Sequence, residues 1–258
     1  MTLLNDKVVL VSGGSQGVGA AVARTAAREG AIIAITGRRP ERGEALARQL
    51  TDHGAKVIYV RTDVADVAQA RESVAAVIGA FGRVDCLVNC AGLTARGTLL
   101  DTTPDLFDQH IAVNLRGPFF MMQSAVADML SRHAPGTIVN IGSTSAHCGQ
   151  SILAAYSVAK AGLVALTRNA AHAHRFDRIR INALNIGWTG TEGEDATQRA
   201  YHAAGDNWQQ QAAKTLPMGR LGQVDEIADM VVFLLSDRSG VVTGSVIDWD
   251  QIVIGAVD

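Results

Sequence analysis

Short β-branched runs alternate with longer amphipathic stretches along this chain, and this alternation constrains its fold more than any other feature. Runs of five or six apolar residues have the length of buried strands, and stretches of ten or more residues with helical periodicity separate them. Strands are predicted at 7–12, 32–36, 56–61, 84–89, 137–142, 179–184 and 245–249. Helices are predicted at 17–29, 40–52, 67–81, 104–132, 154–175 and 225–235.

This order of elements predicts an α/β fold with a parallel sheet of about seven strands and helices on both faces. Right-handed crossovers then produce a doubly wound sheet. The 258 residues, of which 48% are hydrophobic, suit one such unit with a large core. We find no linker or repeat, so a single domain is expected over residues 1–258.

One long stretch, residues 187–221, has no clear periodicity and is rich in glycine and threonine. A loop of this length in a compact domain usually covers or binds a ligand. We therefore predict a substrate lid at 187–221, with a surface insertion as the alternative.

Composition argues against several classes of function. The formal net charge is −2 and no long basic run is present, so nothing favours nucleic acid as a partner. No apolar stretch approaches membrane-spanning length, and the run at 8–11 is too short for a signal peptide. The three cysteines form no Cys-x-x-Cys pair, which fits a reducing compartment, and a cytoplasmic protein is expected. No spacing of His, Asp and Glu predicts a metal site.

A glycine-rich segment joins the first predicted strand to the first predicted helix. It reads Ser12-Gly13-Gly14-Ser15-Gln16-Gly17-Val18-Gly19. Glycines permit a tight turn and let a phosphate group reach the backbone N–H groups at the helix N-terminus. In the first βαβ unit this pattern predicts dinucleotide binding, with a purely structural turn as the alternative.

The end of the second predicted strand distinguishes between the two nicotinamide dinucleotides. A carboxylate there would bind both ribose hydroxyls of NAD, but this chain has Gly37-Arg38-Arg39. Arginine can hold the 2′-phosphate of NADP through a bidentate, charge-assisted contact. NADP is therefore the preferred prediction, although Gln16 adds no second positive charge in the glycine turn, and NAD stays open.

Tyr156 and Lys160 are four residues apart in a predicted helix, and Ser143 is thirteen positions before the tyrosine. The i, i+4 spacing places the phenol and the ammonium on one face. An ammonium there would lower the pKa of the phenol, which could then exchange a proton with an alcohol oxygen. Alone, a Tyr-x-x-x-Lys pair often occurs by chance.

Several motifs occur together in one order and resemble the short-chain dehydrogenase/reductase family over nearly the whole chain. They are the glycine turn, Asp63-Val64, Asn89-Cys90-Ala91-Gly92, Asn114, Ser143, Tyr156 and Lys160. The resemblance implies a Rossmann fold and an NAD(P)-dependent interconversion of alcohols and carbonyls. It also implies that Asp63-Val64 touches adenine, as in the family.

The resemblance further implies a role for each member of a catalytic tetrad. Tyr156 would be the acid/base, and Ser143 would hydrogen-bond the substrate oxygen. Lys160 would bind the nicotinamide ribose and lower the pKa of Tyr156. Asn114 would hold a water molecule that links Lys160 to solvent.

The chain departs from the family at three places. Ile186-Gly187 replaces Pro-Gly, although Thr191 still matches the nicotinamide-contacting threonine and Thr189 could supply backbone contacts. Asp250-Gln251-Ile252 replaces Asp-Gly-Gly, so a bulkier tail is expected to alter the substrate pocket or a subunit contact. Cys90 replaces an asparagine, which is mainly a change in packing.

The substrate-binding candidates come from three loops and are mostly polar. They are Thr94, Arg96, Ser145, His147, Gln150, Trp188, Glu192, Glu194 and Trp208, with His147 favoured because it is near Ser143. Amides and carboxylates bind hydroxyls and an indole covers C–H surface, so a small polyhydroxylated substrate is predicted. For any single residue, a solvated loop position is the alternative.

The sequence therefore predicts an NADP-preferring alcohol dehydrogenase or carbonyl reductase acting on a sugar, a polyol or a hydroxy/keto acid. One alternative is a 3-oxoacyl-thioester reductase, which would need a basic patch where only Arg96, Arg116 and Arg132 are scattered candidates. Another is a cofactor-binding regulator without catalysis. The family resemblance also implies a homotetramer that packs through residues 104–132 and 154–175.

Overall fold

A single parallel sheet of seven strands organises the computed structural model, which describes residues 2–203 and 205–255. The strands are β1 (Val8–Ser12), β2 (Ile32–Gly37), β3 (Val57–Arg61), β4 (Cys86–Asn89), β5 (Gly136–Ser143), β6 (Ile179–Ile186) and β7 (Val246–Trp249). Their order across the sheet is β3-β2-β1-β4-β5-β6-β7. The predicted parallel sheet is confirmed.

The direction of winding reverses between β1 and β4. The chain runs outward from β1 to β3, then returns to place β4 beside β1, with Ser12 opposite Asn89. In sheets of this kind a crevice opens at the carboxyl ends of the two central strands, and ligands bind there.

Helices cover both faces of the sheet, as predicted. They are α1 (Gly17–Arg28), α2 (Pro40–Asp52), α3 (Val67–Phe81), α4 (Pro104–Ile111), α5 (Gly117–Ser131), α6 (Ala154–Ala173), α7 (Glu192–His202), α8 (Trp208–Ala213) and α9 (Val224–Leu235). Apolar side chains of α1, α2 and α9 pack on one face, and those of α3, α5 and α6 pack on the other. None of the helices within these described ranges combines the length and the apolar character needed to cross a membrane.

The region predicted as one helix at 104–132 is divided. A turn of π-helix, Ala112–Arg116, separates α4 from α5. Such turns widen the hydrogen-bond ladder and occur often at functional sites. Here the turn contains Asn114.

The expectation of an irregular segment at 187–221 was wrong, because α7 and α8 lie within it. The Thr191 side chain accepts a hydrogen bond from the backbone N–H of Glu194 at 3.0 Å and so caps α7. Three acidic residues in the first turn complement the helix dipole. These local signals form a helix even though the segment contains few apolar residues.

Candidate active site

A cavity of about 1640 Å³ opens where the central strands end. Its walls include Gly13 after β1, Cys90 after β4, Ser143 at the end of β5 and Ile186 at the end of β6. One continuous space therefore connects the glycine turn with Tyr156. This is the crevice that the reversal in strand order produces.

The glycine turn is shaped for close approach of a ligand to backbone. Gly13 has φ +69°, and a Cβ there would lie 2.6 Å from the backbone nitrogen of Ala91. A Cβ at Gly19 would lie 2.3 Å from the carbonyl oxygen of Gly13. The N-cap residue Gln16 makes no side-chain bond to the first turn of α1. The first N–H groups of α1 thus suit the pyrophosphate of a dinucleotide.

Three arginines line the cavity beyond the end of β2. Arg38 and Arg39 are exposed, as expected for residues that precede α2. The sequence analysis missed the third, Arg42, whose guanidinium bonds Gln16 at 3.2 Å and also pairs with Glu192. Its position one helical turn after Arg39 was the available signal. Arg42 places a positive charge next to the glycine turn, where none had been expected.

Most of the other predicted cofactor-binding residues line the same cavity. These are Gly13, Ser15, Gln16, Gly17, Val18, Gly19, Asp63, Val64, Ala91, Gly92, Tyr156, Lys160, Gly187, Thr189 and Thr191. Ser12 and Asn89 do not, because both are buried in their strands. The Asn89 amide donates to Asn140 Oδ1 at 2.8 Å, which joins β4 to β5 beneath the cavity.

Ser143, Tyr156 and Lys160 meet at the inner end of the cavity. All three are buried, and the lysine and the tyrosine lie on one face of α6. Lys160 Nζ donates to the carbonyl oxygen of Ile141 at 2.7 Å and lies 5.8 Å from the centre of the Tyr156 ring. The ammonium is therefore held beside the phenol by β5, the strand that also carries Ser143.

Asn114 is fully buried behind this group and does not line the cavity. Its side chain accepts from the N–H of Leu93 and donates to the carbonyl of Leu93, both at 3.0 Å. Its amide nitrogen also lies 3.2 Å from His110 Nδ1. The side chain thus anchors the loop after β4, which carries Thr94 and Arg96 into the cavity.

Burial dominates the protonation of Tyr156 and Lys160. Desolvation raises the pKa of Tyr156, and the smaller effect of the Ser143 hydroxyl lowers it. Desolvation also lowers the pKa of Lys160 to about 8. The expectation of a lowered Tyr156 pKa is therefore wrong for the protein alone, since the cost of burying a phenolate dominates.

Seven of the nine candidates from the substrate loops line the cavity. The cavity-lining residues are Thr94, Arg96, Ser145, Gln150, Trp188, Glu192 and Glu194. His147 was favoured but does not line it, because its Nε2 bonds Asp248 Oδ1 at 2.8 Å, on β7. Trp208 does not line it either, since it is only 6% exposed and stacks behind Trp188.

The structure adds residues to this wall that the sequence analysis missed. They are Gln198 and His202, and the wall also includes Asp250 and Ile252 from the tail that was expected to alter the substrate pocket or a subunit contact. Gln198 and His202 follow Glu194 at intervals of four on α7, so the cap at Thr191 was the signal that could have revealed them. Asp250 and Ile252 belong to the C-terminal segment that departs from the family pattern, and that segment does reach the pocket.

The described part of the chain contains no group of three His, Cys, Asp or Glu side chains placed to hold a metal ion. Cys90, at the family's asparagine position, has its thiol pKa raised to about 12 by desolvation. Its thiol therefore stays protonated and neutral at ordinary pH.

Fold and site together define a doubly wound dinucleotide-binding protein with a Ser–Tyr–Lys group in its crevice, and comparisons with known proteins agree. A family model described as enoyl-(acyl carrier protein) reductase matches residues 13–251. The chain is 35% identical to an L-rhamnose 1-dehydrogenase (NAD(P)(+)) of Azotobacter vinelandii and 34% identical to 2-(S)-hydroxypropyl-CoM dehydrogenase 3 of Xanthobacter autotrophicus, with 94% of each chain covered in both cases. A short-chain dehydrogenase/reductase structure from Serratia marcescens matches with a TM-score of 0.86 and 34% identity, covering 96% of this chain and 98% of the other.

The chain belongs to the short-chain dehydrogenase/reductase family. It is an oxidoreductase of the type that acts on CH–OH groups with a nicotinamide cofactor.

Proposed function

We propose that the protein interconverts a secondary alcohol and a carbonyl on a small polar substrate, with NADP as its preferred cofactor. The observation that carries this proposal is the shared cavity, which joins the glycine turn, the three arginines and the Ser143–Tyr156–Lys160 group. A dinucleotide extended along it would reach the phenol from the phosphate-binding end.

Each residue of the catalytic group has a distinct task in this proposal. Tyr156 gives a proton to the carbonyl oxygen during reduction and takes it back during oxidation. Ser143 hydrogen-bonds the same oxygen and fixes its position. Lys160 places a positive charge beside the phenol, and Asn114 fixes the loop that closes this end of the cavity. The cofactor supplies or accepts the hydride.

The preference for NADP rests on charge. Arg38, Arg39 and Arg42 line the cavity where a 2′-phosphate would lie, and no carboxylate ends β2. The acidic neighbour Glu192 pairs with Arg42, which leaves Arg38 and Arg39 for the ligand. The A. vinelandii relative carries NAD(P)(+) in its name, which is compatible with either cofactor.

For the substrate, we propose a sugar, a polyol or a hydroxy/keto acid. The cavity is lined by hydroxyl, amide, carboxylate and guanidinium groups and one indole, together with separate apolar side chains such as Leu153, Leu216 and Ile252. A long acyl chain would require a more apolar wall. The names of the two curated relatives refer to a sugar and to a small hydroxyalkyl compound, which supports this class.

The alternative function, reduction of carrier-bound acyl thioesters, agrees with the description of the family model. It would require a basic patch at the cavity mouth, and the arginines that could form one are dispersed. Arg132 binds Asp128 at 2.9 Å and does not line the cavity. Arg116 donates to the carbonyl of Ala65. Arg96 and Arg116 line the cavity but Arg132 does not, so only two of the three arginines could contribute to such a patch.

The decisive experiment is a panel of sugars, polyols, hydroxy acids and acyl thioesters assayed with NADP and with NAD. With the best substrate, Tyr156→Phe should lower kcat by about 100- to 10,000-fold, because the proton donor is removed while the ring remains. Tyr201→Phe is the matched control, since Tyr201 is exposed and lies outside the cavity. Unchanged turnover in Tyr156→Phe would disprove the mechanism.

We further propose that residues 187–221 act as a lid over the substrate, within a single domain that spans residues 1–258. The support is that α7 and the loop before it line one side of the outer cavity. A cytoplasmic location is proposed from the few unpaired cysteines.

A further inference from the structure

Two tryptophans of the lid segment form one unit at the outer cavity. The rings of Trp188 and Trp208 stack with centroids 5.9 Å apart and planes 26° from parallel. Trp208 is buried, and Trp188 is 37% exposed and lines the cavity. One face of the Trp188 indole is therefore covered by Trp208, and its other side is turned toward the space where a substrate would lie.

Carboxylates at the start of α7 hold both indoles in place. Trp188 Nε1 donates to Glu194 at 2.9 Å, and Trp208 Nε1 donates to Asp195 at 2.7 Å. Glu194 also accepts from the Gln198 amide at 2.7 Å. Because the only polar atom of each indole is engaged, Trp188 presents a bare apolar surface to the cavity.

The backbone at Trp188 is fixed as well. Its carbonyl accepts from the N–H of Gly222 at 3.0 Å, and Gly190 donates to the carbonyl of Gly222 at 3.2 Å. The indole is therefore a rigid surface, and a ligand that stacks on it pays little for ordering the side chain.

Polar side chains share the cavity with this flat apolar surface. Thr94, Ser145, Gln150 and Gln198 line this cavity and come from three different segments: the loop after β4, the connection between β5 and α6, and helix α7. A ligand that matches such a wall has one flat C–H face and hydroxyl groups around its edge. The hydrogens of carbon atoms bonded to oxygen carry partial positive charge, and the face of an indole is negative.

From this arrangement we propose that Trp188 is the stacking platform for a cyclic polyhydroxylated substrate, such as a pyranose sugar. Trp208 and Glu194 are positioning residues that set its plane. The proposal rests on the proposed function and narrows its substrate class. Acyclic polyols and small hydroxy acids have no continuous C–H face, so they would leave the indole surface in contact with water.

The test compares the activity of Trp188→Ala and Trp188→Phe with that of the wild-type protein. The cyclic substrates are pyranose sugars, and the open-chain substrates are acyclic polyols of equal carbon number and small hydroxy acids. Trp188→Ala should lower kcat/KM for the best pyranose by about 10-fold or more, mainly through KM, and change the acyclic substrates less than about threefold. Trp188→Phe keeps an aromatic face and should retain most of the preference for rings. Tyr201→Ala removes an exposed aromatic side chain of α7 outside the cavity and should change neither value.

A binding measurement covers the case in which Trp188→Ala does not fold. A pyranose should change the tryptophan fluorescence of the wild-type protein, and Trp188→Phe should abolish that change while NADP still raises its melting temperature. The proposal is overturned if hydroxy acids or acyclic polyols are the best substrates, or if Trp188→Ala affects rings and open chains equally. If the wild-type protein oxidises or reduces nothing in the panel, or Tyr156→Phe stays active, the proposed function itself fails.

Discussion

At the scale of single residues, burial decides the protonation of Tyr156 and Lys160. The Lys160 ammonium is almost completely buried and has one hydrogen bond, to the carbonyl of Ile141. Tyr156 lies beside it, and its phenol is shielded from water. A low dielectric penalises both charged forms. In the protein alone, the phenol of Tyr156 is therefore neutral and the ammonium of Lys160 loses its proton more easily than in water.

This environment predicts a pH dependence of stability. The pKa of Lys160 falls from 10.5 in the unfolded chain to about 8 in the folded protein. Between these two values the unfolded chain binds more protons at this position, so the stability contributed by Lys160 rises with pH and is lost as pH falls through about 8. We expect the melting temperature of wild-type protein to rise relative to that of Lys160→Met between about pH 7.5 and about pH 9.5.

The comparison with Lys160→Met removes pH effects of other groups, because they are common to both proteins. Tyr156 acts in the opposite sense: its raised pKa costs stability only above pH 10, outside this window. Parallel melting curves for the two proteins across the window would contradict the burial argument.

At the scale of elements, the ends of strands and helices carry the site. β1, β4, β5 and β6 all end at the cavity, α1 begins there with an uncapped N-terminus, and the π-helical turn places Asn114 behind the loop after β4. The turn between β2 and α2 adds exposed positive charge. The rigid sheet thus positions groups that come from distant parts of the sequence.

The exposed arginines between β2 and α2 lead to a prediction about the choice between NADP and NAD. We expect Arg38→Ala to raise the KM for NADP by about tenfold or more and to leave the KM for NAD nearly unchanged, because a charge-assisted phosphate contact is lost. Arg48→Ala is the control, since Arg48 is exposed on α2, near Glu44 and outside the cavity. Equal changes for the two cofactors, or a wild-type preference for NAD, would refute the role of Arg38.

At the scale of the whole molecule, apolar residues remain exposed on the helices that the family resemblance places between subunits. Phe119 on α5 is 44% exposed and Val158 on α6 is 55% exposed. We expect a homotetramer whose subunits cover these positions. Sedimentation at micromolar concentration should give four chains for the wild-type protein and a smaller assembly for Val158→Lys.

The matched control is Phe176→Lys, which changes a more exposed apolar residue that follows α6. It should sediment like the wild-type protein. A wild-type monomer would exclude the tetramer. If Val158→Lys and Phe176→Lys gave assemblies of the same size, the exposed face of α6 at Val158 would not form the contact.

Local sequence sufficed for most of the elements and for the nucleotide turn. Strand β1, the glycines after it and helix α1 have local signals, because strand burial, positive φ and helix initiation depend on neighbouring residues. Helix α7 was missed even though Thr191 and its acidic first turn are equally local signals, since the segment has few apolar residues by which to recognise a helix. Trp208 and His147 could not be placed, because their surroundings come from residues far away in sequence.

By itself the sequence determined the order of the strands, most of the helices and the glycine turn, since these follow from short-range patterns, and the family resemblance supplied the proposed catalytic tetrad. Only the tertiary structure decided which way the Trp208 and His147 side chains turn, how Arg42 joins the glycine turn and how burial sets the pKa values of Tyr156 and Lys160. The physical reason is that solvation and side-chain contacts depend on the packing of distant segments. Spacing along the chain does not specify that packing.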